Sequence, residues 1–344
     1  MKAAVFKEVG SPLTVETVDD PTPQSTGLVM KVSFCGVCGT DLHATREGLT
    51  TACCGQVLGH EYVGEIVEVG KDAEGDWQIG DRVCALPFIA CGKCLPCAAG
   101  HFFECQNKSV SGVDAPGGFA EYVATGARET IRLPDSLELQ TATLVEPLAV
   151  GIHAVRIADV KAGSRVMVIG AGPIGLTVAL WARFFGARAV VVSEIASSRS
   201  ALAMKMGATS VIQPDPAAGA EQLLEQFVDA AGGPPDVIFE CVGAPGLLQQ
   251  CIEIAPQRGK IIPVGVCEQP DAIMPFFGLV KELQIQFAIA YSKDDFETCV
   301  AMLAEGRIDV SPMITDIVSL DDLPDAFEAL RTPSHQCKVL TKFE

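Results

Sequence analysis

Basic side chains are scarce in this chain: 25 Lys and Arg stand against 43 Asp and Glu over 344 residues, a net charge of −18. That deficit argues against general affinity for nucleic acid or for anionic membranes, both of which need basic surface. Long apolar runs are also missing. The longest charge-free apolar stretch, Val166 to Ala182, has 17 residues with three glycines and a proline inside it, short and wrongly textured for a membrane span. An apolar export core is lacking near the start, where Lys7 and Glu8 stand. No internal repeat, low-complexity segment or long linker is present. A chain that is 49% hydrophobic and only 20% charged is not disordered, and 344 residues more often make two domains than one. The expectation is a soluble cytoplasmic protein with no nucleic-acid or membrane partner.

Cysteine, by contrast, is plentiful, with 14 residues. Without an export signal they do not read as a disulfide framework, and a chain this large needs no staples. Cys91, Cys94, Cys97 and Cys105 fall within fifteen residues, while most of the others are scattered. Four thiolates from one loop, spaced among Gly92, Pro96 and Gly100, suit a closed tetrahedral zinc site of the structural kind. A zinc ribbon that bound nucleic acid would need more basic company than Lys93 and Lys108.

Residues 1–150 are rich in short β-type runs bounded by turn residues, among them MKAAVF, GLVMKVSF, YVGEIVEVG and GFAEYVA. From about Gly151 the rhythm changes to strand and helix in alternation. RVMVIG, AVVVSE, SVIQ, DVIFEC and KIIPVGV read as strands; helices are expected over Pro173 to Phe185, Arg199 to Met206, Glu221 to Ala230 and Leu247 to Ile254. Short Val/Ile-rich strands alternating with helices imply a parallel sheet covered on both faces. The fold class is therefore α/β: a β-rich domain over 1–150, completed by 286–344, and a doubly wound parallel-sheet domain over 151–285. Helices near Asp294 to Glu305 and Asp321 to Leu330 and a last strand, KVLTKF, belong to the returning tail.

RVMVI runs directly into Gly170-Ala171-Gly172-Pro173-Ile174-Gly175 and then a helical stretch. In that context GxGxxG reads as a dinucleotide site. Gly170 permits the tight turn, Gly172 lets the backbone approach a pyrophosphate, and Gly175 allows close strand–helix packing. Glu194 ends the second strand 19 residues past Gly175, where a carboxylate accepts hydrogen bonds from ribose hydroxyls and repels a 2′-phosphate. This favours NAD over NADP, although Arg199 and Ser193 stand close enough to help a phosphate.

Cys38 in CGVCGTDLH, His60 and Glu61 in GHEYVGEIVEVG, and Glu146 in LVEPLAVGIHAV make a second, dispersed group. A thiolate, an imidazole and a carboxylate form a three-ligand zinc site with an open position. Singly, each of these residues reads more readily as core or surface; their company with a dinucleotide fold and a cysteine cluster changes that.

With CGVCGTDLH, GHE, the four-cysteine lobe, GGFAEY, EPLAVGIHA and GAGPIG together, the chain resembles the zinc-dependent medium-chain alcohol/polyol dehydrogenases over essentially its whole length. The resemblance implies a GroES-like catalytic domain beside a Rossmann domain, two zinc ions per chain, and NAD. It makes Cys38 and His60 ligands of the catalytic zinc, with Glu61 and Glu146 as carboxylates that ligate it or hold its water. Asp41 matches the residue that orients the histidine ligand. Thr40 and His43 match a proton relay through the cofactor ribose, and Val242 and Val264 add cofactor contacts. Dimers or tetramers are usual for the family.

The carboxylate-bearing zinc shell is similar to the sorbitol, butanediol, threonine and secondary-alcohol branch. Sorbitol-type members carry an Arg-Tyr pair where this chain has Ala290 and Tyr291. Loss of a five-donor guanidinium favours a diol, acyloin or less polar secondary alcohol over a long polyol. Phe88 and Leu49 are candidates to line that pocket. The expected reaction is reversible oxidation of a small alcohol to a ketone. The competing readings are an NADP-preferring enzyme of the same family, a zinc-free medium-chain reductase, and a non-catalytic binding protein on this scaffold.

Overall fold

The computed structural model describes residues 1–48, 51–215, 219–332 and 335–344. Met1–Glu146 and Tyr291–Glu344 form one compact unit, and Pro147–Ala290 forms the other. No helix among the described residues is long and apolar enough to cross a membrane.

The first unit is built on a seven-stranded sheet. Thr130–Arg132, Arg82–Ala85, Glu61–Val69, Gly27–Gly36, Lys338–Lys342 and Ile314–Ser319 lie in that order, and Tyr122–Gly126 also pairs with Gly27–Gly36. All these pairings are antiparallel except that of Ile314–Ser319 with Lys338–Lys342. A smaller sheet, Thr14–Thr17, Lys2–Phe6 and Gln56–Val57, packs into the same core through Ala4, Phe6 and Val57. Leu28, Met30, Ile66, Val83, Phe119 and Val339 are buried there.

The second unit carries a six-stranded, wholly parallel sheet. Its order is Ser210–Ile212, Ala189–Ser193, Arg165–Ile169, Val237–Glu240, Lys260–Pro263, Gln284–Ile285. The apolar runs are explained by burial on both faces: every residue of Ala189–Ser193 and of Val237–Glu240 is buried. Helices Pro173–Phe184, Ser197–Lys205, Ala220–Ala231 and Leu247–Ile254 make the crossovers. Each lies within two residues of its expectation at both ends; the parallel sheet with its crossover helices is α/β as expected, beside a β-rich first unit.

Among the elements not foreseen are the helices Val145–Ile157 and Pro275–Val280 and the strand Ile314–Ser319. Helix Pro275–Val280 has no buried residue, so no amphipathic pattern marks it.

Candidate active site

Sheet register brings the dispersed group together. Gly36 and Glu61 face each other across an antiparallel pair, so Cys38, just past one strand, and His60, just before the other, emerge at the same sheet end. Asp41 then ties the two segments. From the first turn of the short helix Gly39–Ala44, its Oδ2 accepts from the Cys38 N–H at 2.9 Å and its Oδ1 from the Gly59 N–H at 3.1 Å. Gly59 must be glycine: its φ is +89°, and a Cβ would lie 2.7 Å from Phe119 and 2.9 Å from the Cys35 sulfur.

The donor atoms of Cys38, His60 and Glu61 lie within 4.8 Å of one another. His60 Nδ1 is 3.4 Å from Asp41 Oδ1 but has no partner with hydrogen-bond geometry. Burial opposes an imidazolium here, yet the charges of Asp41 and Cys38 outweigh it and hold the His60 pKa well above its ordinary value. A field that holds a proton so firmly also favours a metal cation, and an imidazole backed by a carboxylate is the usual arrangement of a histidine ligand. The residues present therefore fit zinc. Thr40 Oγ1 stands 3.7 Å from the Cys38 sulfur, and His43 lies on the same helix.

Glu61 has a second partner absent from the sequence reading. Lys338, from the last strand, places Nζ 2.6 Å and 2.8 Å from its two carboxylate oxygens and 3.1 Å from the Val37 carbonyl oxygen. Both side chains are fully buried, at 1% and 0% exposure. The strand Gly27–Gly36 lies between theirs, and Gly36 leaves the room: a Cβ there would sit 2.2 Å from Glu61 Oε2. Burial opposes the ammonium, but Glu61 and Cys38 reverse that effect and keep Lys338 charged, with its pKa raised.

Glu146 is not one of the three gathered donors. It accepts from the Tyr291 hydroxyl at 2.7 Å, and burial pushes its pKa up to about 7. Tyr291 in turn packs on Phe88, ring centroids 5.9 Å apart, and Phe88 is itself buried. Leu49 lies outside the described residues.

The four cysteines of the lobe converge, all sulfurs within 4.8 Å of one another. Cys94 and Cys97 are 3.3 Å apart and Cys91 and Cys97 4.0 Å. Four sulfurs about 2.3 Å from one zinc stand about 3.8 Å apart in a tetrahedron, so the lobe fits the ion. The backbone N–H of Lys93, with Cys105 and Cys94, lowers the Cys91 thiol to about 6, while burial raises Cys97 to about 12. Together the four would hold a cation as thiolates.

In the second unit, Gly170, Val242 and Val264 sit just past the ends of three adjacent parallel strands. Gly170 has φ +98°, and Val242 would collide with a Cβ there at 2.6 Å. A Gly175 Cβ would meet the Gly170 carbonyl at 2.0 Å, whereas one on Gly172 would meet nothing within 4 Å. That open space lies before helix Pro173–Phe184, whose first-turn N–H groups a helix cannot satisfy itself, and a pyrophosphate fits it. Glu194 is buried, and its oxygens already accept from the Ala171 and Ala196 N–H groups, each at 2.8 Å. It pins the glycine loop, with a second lone pair on each oxygen left for a ribose. Ser193 is buried; Arg199 Nε is buried without a partner. Glu240 performs a similar task on the neighbouring strand, accepting from the Val242 and Gly243 N–H groups at 2.7 and 2.8 Å. An acidic residue closing an apolar strand, the signal that marked Glu194, also marked this one.

The profile of the alcohol dehydrogenase GroES-like domain matches residues 24–135, and that of the zinc-binding dehydrogenases matches residues 173–305. A curated relative, the 2-dehydro-3-deoxy-L-galactonate 5-dehydrogenase of Pseudoalteromonas atlantica, is 35% identical over 89% of this chain and 88% of its own. The chain belongs to the zinc-dependent medium-chain alcohol/polyol dehydrogenase family. An Escherichia coli CFT073 alcohol dehydrogenase solved with NADH superposes with a TM-score of 0.90 at 27% identity, covering 100% of this chain and 99% of that one. A Sinorhizobium meliloti 1021 structure titled as a zinc-binding dehydrogenase and bound to NADP gives 0.88 at 32%, covering 99% of each. This medium-chain dehydrogenase is thus an oxidoreductase acting on CH–OH groups, with zinc and a nicotinamide dinucleotide as cofactors.

Proposed function

We propose that the enzyme converts a small secondary alcohol, diol or polyol to the ketone, reversibly and with NAD. The gathering of Cys38, His60 and Glu61 under Asp41 carries this reading. When bound, zinc supplies Lewis acidity to the substrate hydroxyl and the dinucleotide supplies a hydride acceptor. Cys38 and His60 hold the metal, and Glu61 or Glu146 supplies the carboxylate that ligates it or holds its water. Thr40 and His43 pass the hydroxyl proton toward solvent. Cys91, Cys94, Cys97 and Cys105 hold a second, structural zinc. Elemental analysis together with NADH formation on a panel of secondary alcohols and diols tests the whole reading. Two zinc ions per chain and turnover support it; no zinc and no turnover exclude it in favour of a non-catalytic protein.

Gly170, Gly172, Pro173, Ile174, Gly175, Val242 and Val264 bind the dinucleotide, and Glu194 sets the preference for NAD. Glu194→Ser is expected to weaken both cofactors, because the Ala171 N–H loses its acceptor, but to weaken NAD more. The NAD/NADP ratio of kcat/KM should fall at least about tenfold, a change of about 1.4 kcal/mol. An unchanged ratio removes Glu194 as the discriminator. The Arg199 Nε, buried without a hydrogen-bond partner, favours the second reading, an NADP-preferring enzyme.

We also propose a homo-oligomer, dimer or tetramer, located in the cytoplasm. Strand Gln284–Ile285 is the outermost of its sheet, and Phe287 and Ile289 beyond it are 69% and 65% exposed. Helix Pro275–Val280 adds Phe276 and Leu279, at 62% and 75%. An open, apolar sheet edge of this kind calls for a covering partner. Phe287→Glu with Leu279→Glu should halve the mass seen by light scattering; an unchanged mass would place the contact elsewhere. No disulfide joins any of the cysteines among the described residues, which suits a reducing compartment.

A further inference from the structure

Two of the cysteines outside both metal groups are neighbours in the chain. Cys53 and Cys54 are both exposed, and Cys267 is the other exposed thiol. The remaining cysteines outside the metal groups are scattered singly: Cys35, Cys84, Cys251, Cys299 and Cys337 are buried, and Cys241 is half-buried. Only at Cys53 and Cys54, therefore, are two thiols both accessible and adjacent without a role in a metal site.

The backbone presents this pair on a turn. The Gln56 N–H donates to the Cys53 carbonyl at 3.1 Å, and Gly55 has φ +87°, which places Cys53 and Cys54 at the first two positions of a type II turn. The turn is anchored on both sides: Gly55 N–H donates to the Phe6 carbonyl at 2.8 Å, and Ala52 N–H to the Ala44 carbonyl, also at 2.8 Å. Ala44 closes the helix that carries Thr40, Asp41 and His43.

Adjacent residues have Cα atoms about 3.8 Å apart, closer than the roughly 4.4–6.8 Å that disulfides take. A direct S–S bond between them requires backbone distortion. Bridging both sulfurs through a third atom does not, because the bridging atom adds the missing reach. We propose that Cys53 and Cys54 form a bidentate site for a soft, thiol-seeking electrophile of the trivalent arsenical class, coupled to the catalytic helix through the Ala52–Ala44 hydrogen bond. The reaction is a condensation. Two S–H and one As=O give two As–S bonds, the oxygen leaves as water with both thiol protons, and nothing is oxidised or reduced.

The test uses the zinc-loaded enzyme and phenylarsine oxide, followed by intact mass and zinc content. One phenylarsenic group per chain is expected, with zinc retained and turnover reduced several-fold. Cys53→Ser and Cys54→Ser, which touch no proposed ligand, should each keep basal turnover and lose the adduct, because a chelate needs both thiols; Cys267→Ser should keep it. A dithiol such as 2,3-dimercaptopropanol should strip the group, and 2-mercaptoethanol at equal thiol concentration should not. An adduct that survives either substitution at 53 or 54, one that a monothiol strips equally well, or one that forms with loss of zinc overturns the site. An adduct with unchanged turnover overturns the coupling to the helix.

Discussion

His60→Ala is expected to lower kcat/KM by roughly three orders of magnitude or more and to reduce the zinc content from two ions per chain to one. Lewis-acid stabilisation of developing negative charge contributes several kcal/mol, and each 1.4 kcal/mol is about a factor of ten in rate. The substitution removes the imidazole on which Asp41 and Cys38 concentrate their field. It leaves the cysteine lobe, more than thirty residues further along the chain, with its four sulfurs in place. The two zinc populations should therefore separate: the ion lost is the one that Cys38 and His60 would hold, and the ion retained is the one that the four cysteines would hold. Loss of both ions from His60→Ala would mean that the two sites do not fold independently. Retention of both, with full turnover, would remove His60 from the catalytic centre.

The second large effect concerns stability. Lys338→Met is expected to destabilise the first unit by about 3–5 kcal/mol, the cost of leaving a buried carboxylate without its partner. For a unit of this size that is a fall of about 10 °C in its melting temperature. Glu61 is fully buried and receives both of its short hydrogen bonds from Lys338. Among the described residues Lys338 is the cation hydrogen-bonded to Glu61, so without it the carboxylate would lose both contacts in a low-dielectric surrounding. The double variant Lys338→Met with Glu61→Gln should recover most of the loss, since no unpaired charge then remains. Thermal melts of the single and double variants decide the matter. If the double variant melts as low as the single one, packing rather than charge explains the effect. If neither melts lower than the parent, the pair contributes nothing net, as buried pairs sometimes do.

The two zinc groups show how differently sites can be written in a chain. The lobe is local: Cys91, Cys94, Cys97 and Cys105 lie on one loop, and their spacing alone predicts the convergence found at 3.3–4.0 Å between neighbouring sulfurs. The glycine loop is local too, because a strand, a turn and a helix in succession are enough to specify a phosphate cradle. Glu194 was identified by position, but its engagement with Ala171 and Ala196 was not, since a carboxylate at a strand end says nothing about which backbone N–H groups will turn toward it.

What the sequence by itself determined is the α/β alternation, the cysteine lobe and the glycine loop, which follow from periodicity and short spacing; the dispersed group of Cys38, His60, Glu61 and Glu146 was legible only through its company and the family resemblance. What only the tertiary structure decided is who touches whom. Lys338 meets Glu61 across 277 residues and Tyr291 meets Glu146 across 145, each fixed by strand register and by the return of the tail to the first unit. A lysine in KVLTKF looks like an ordinary strand residue until the register Leu340 to Gly36 and Gly36 to Glu61 sets it beside a buried carboxylate. Burial then makes the pairing obligatory, because neither charge has water to turn to.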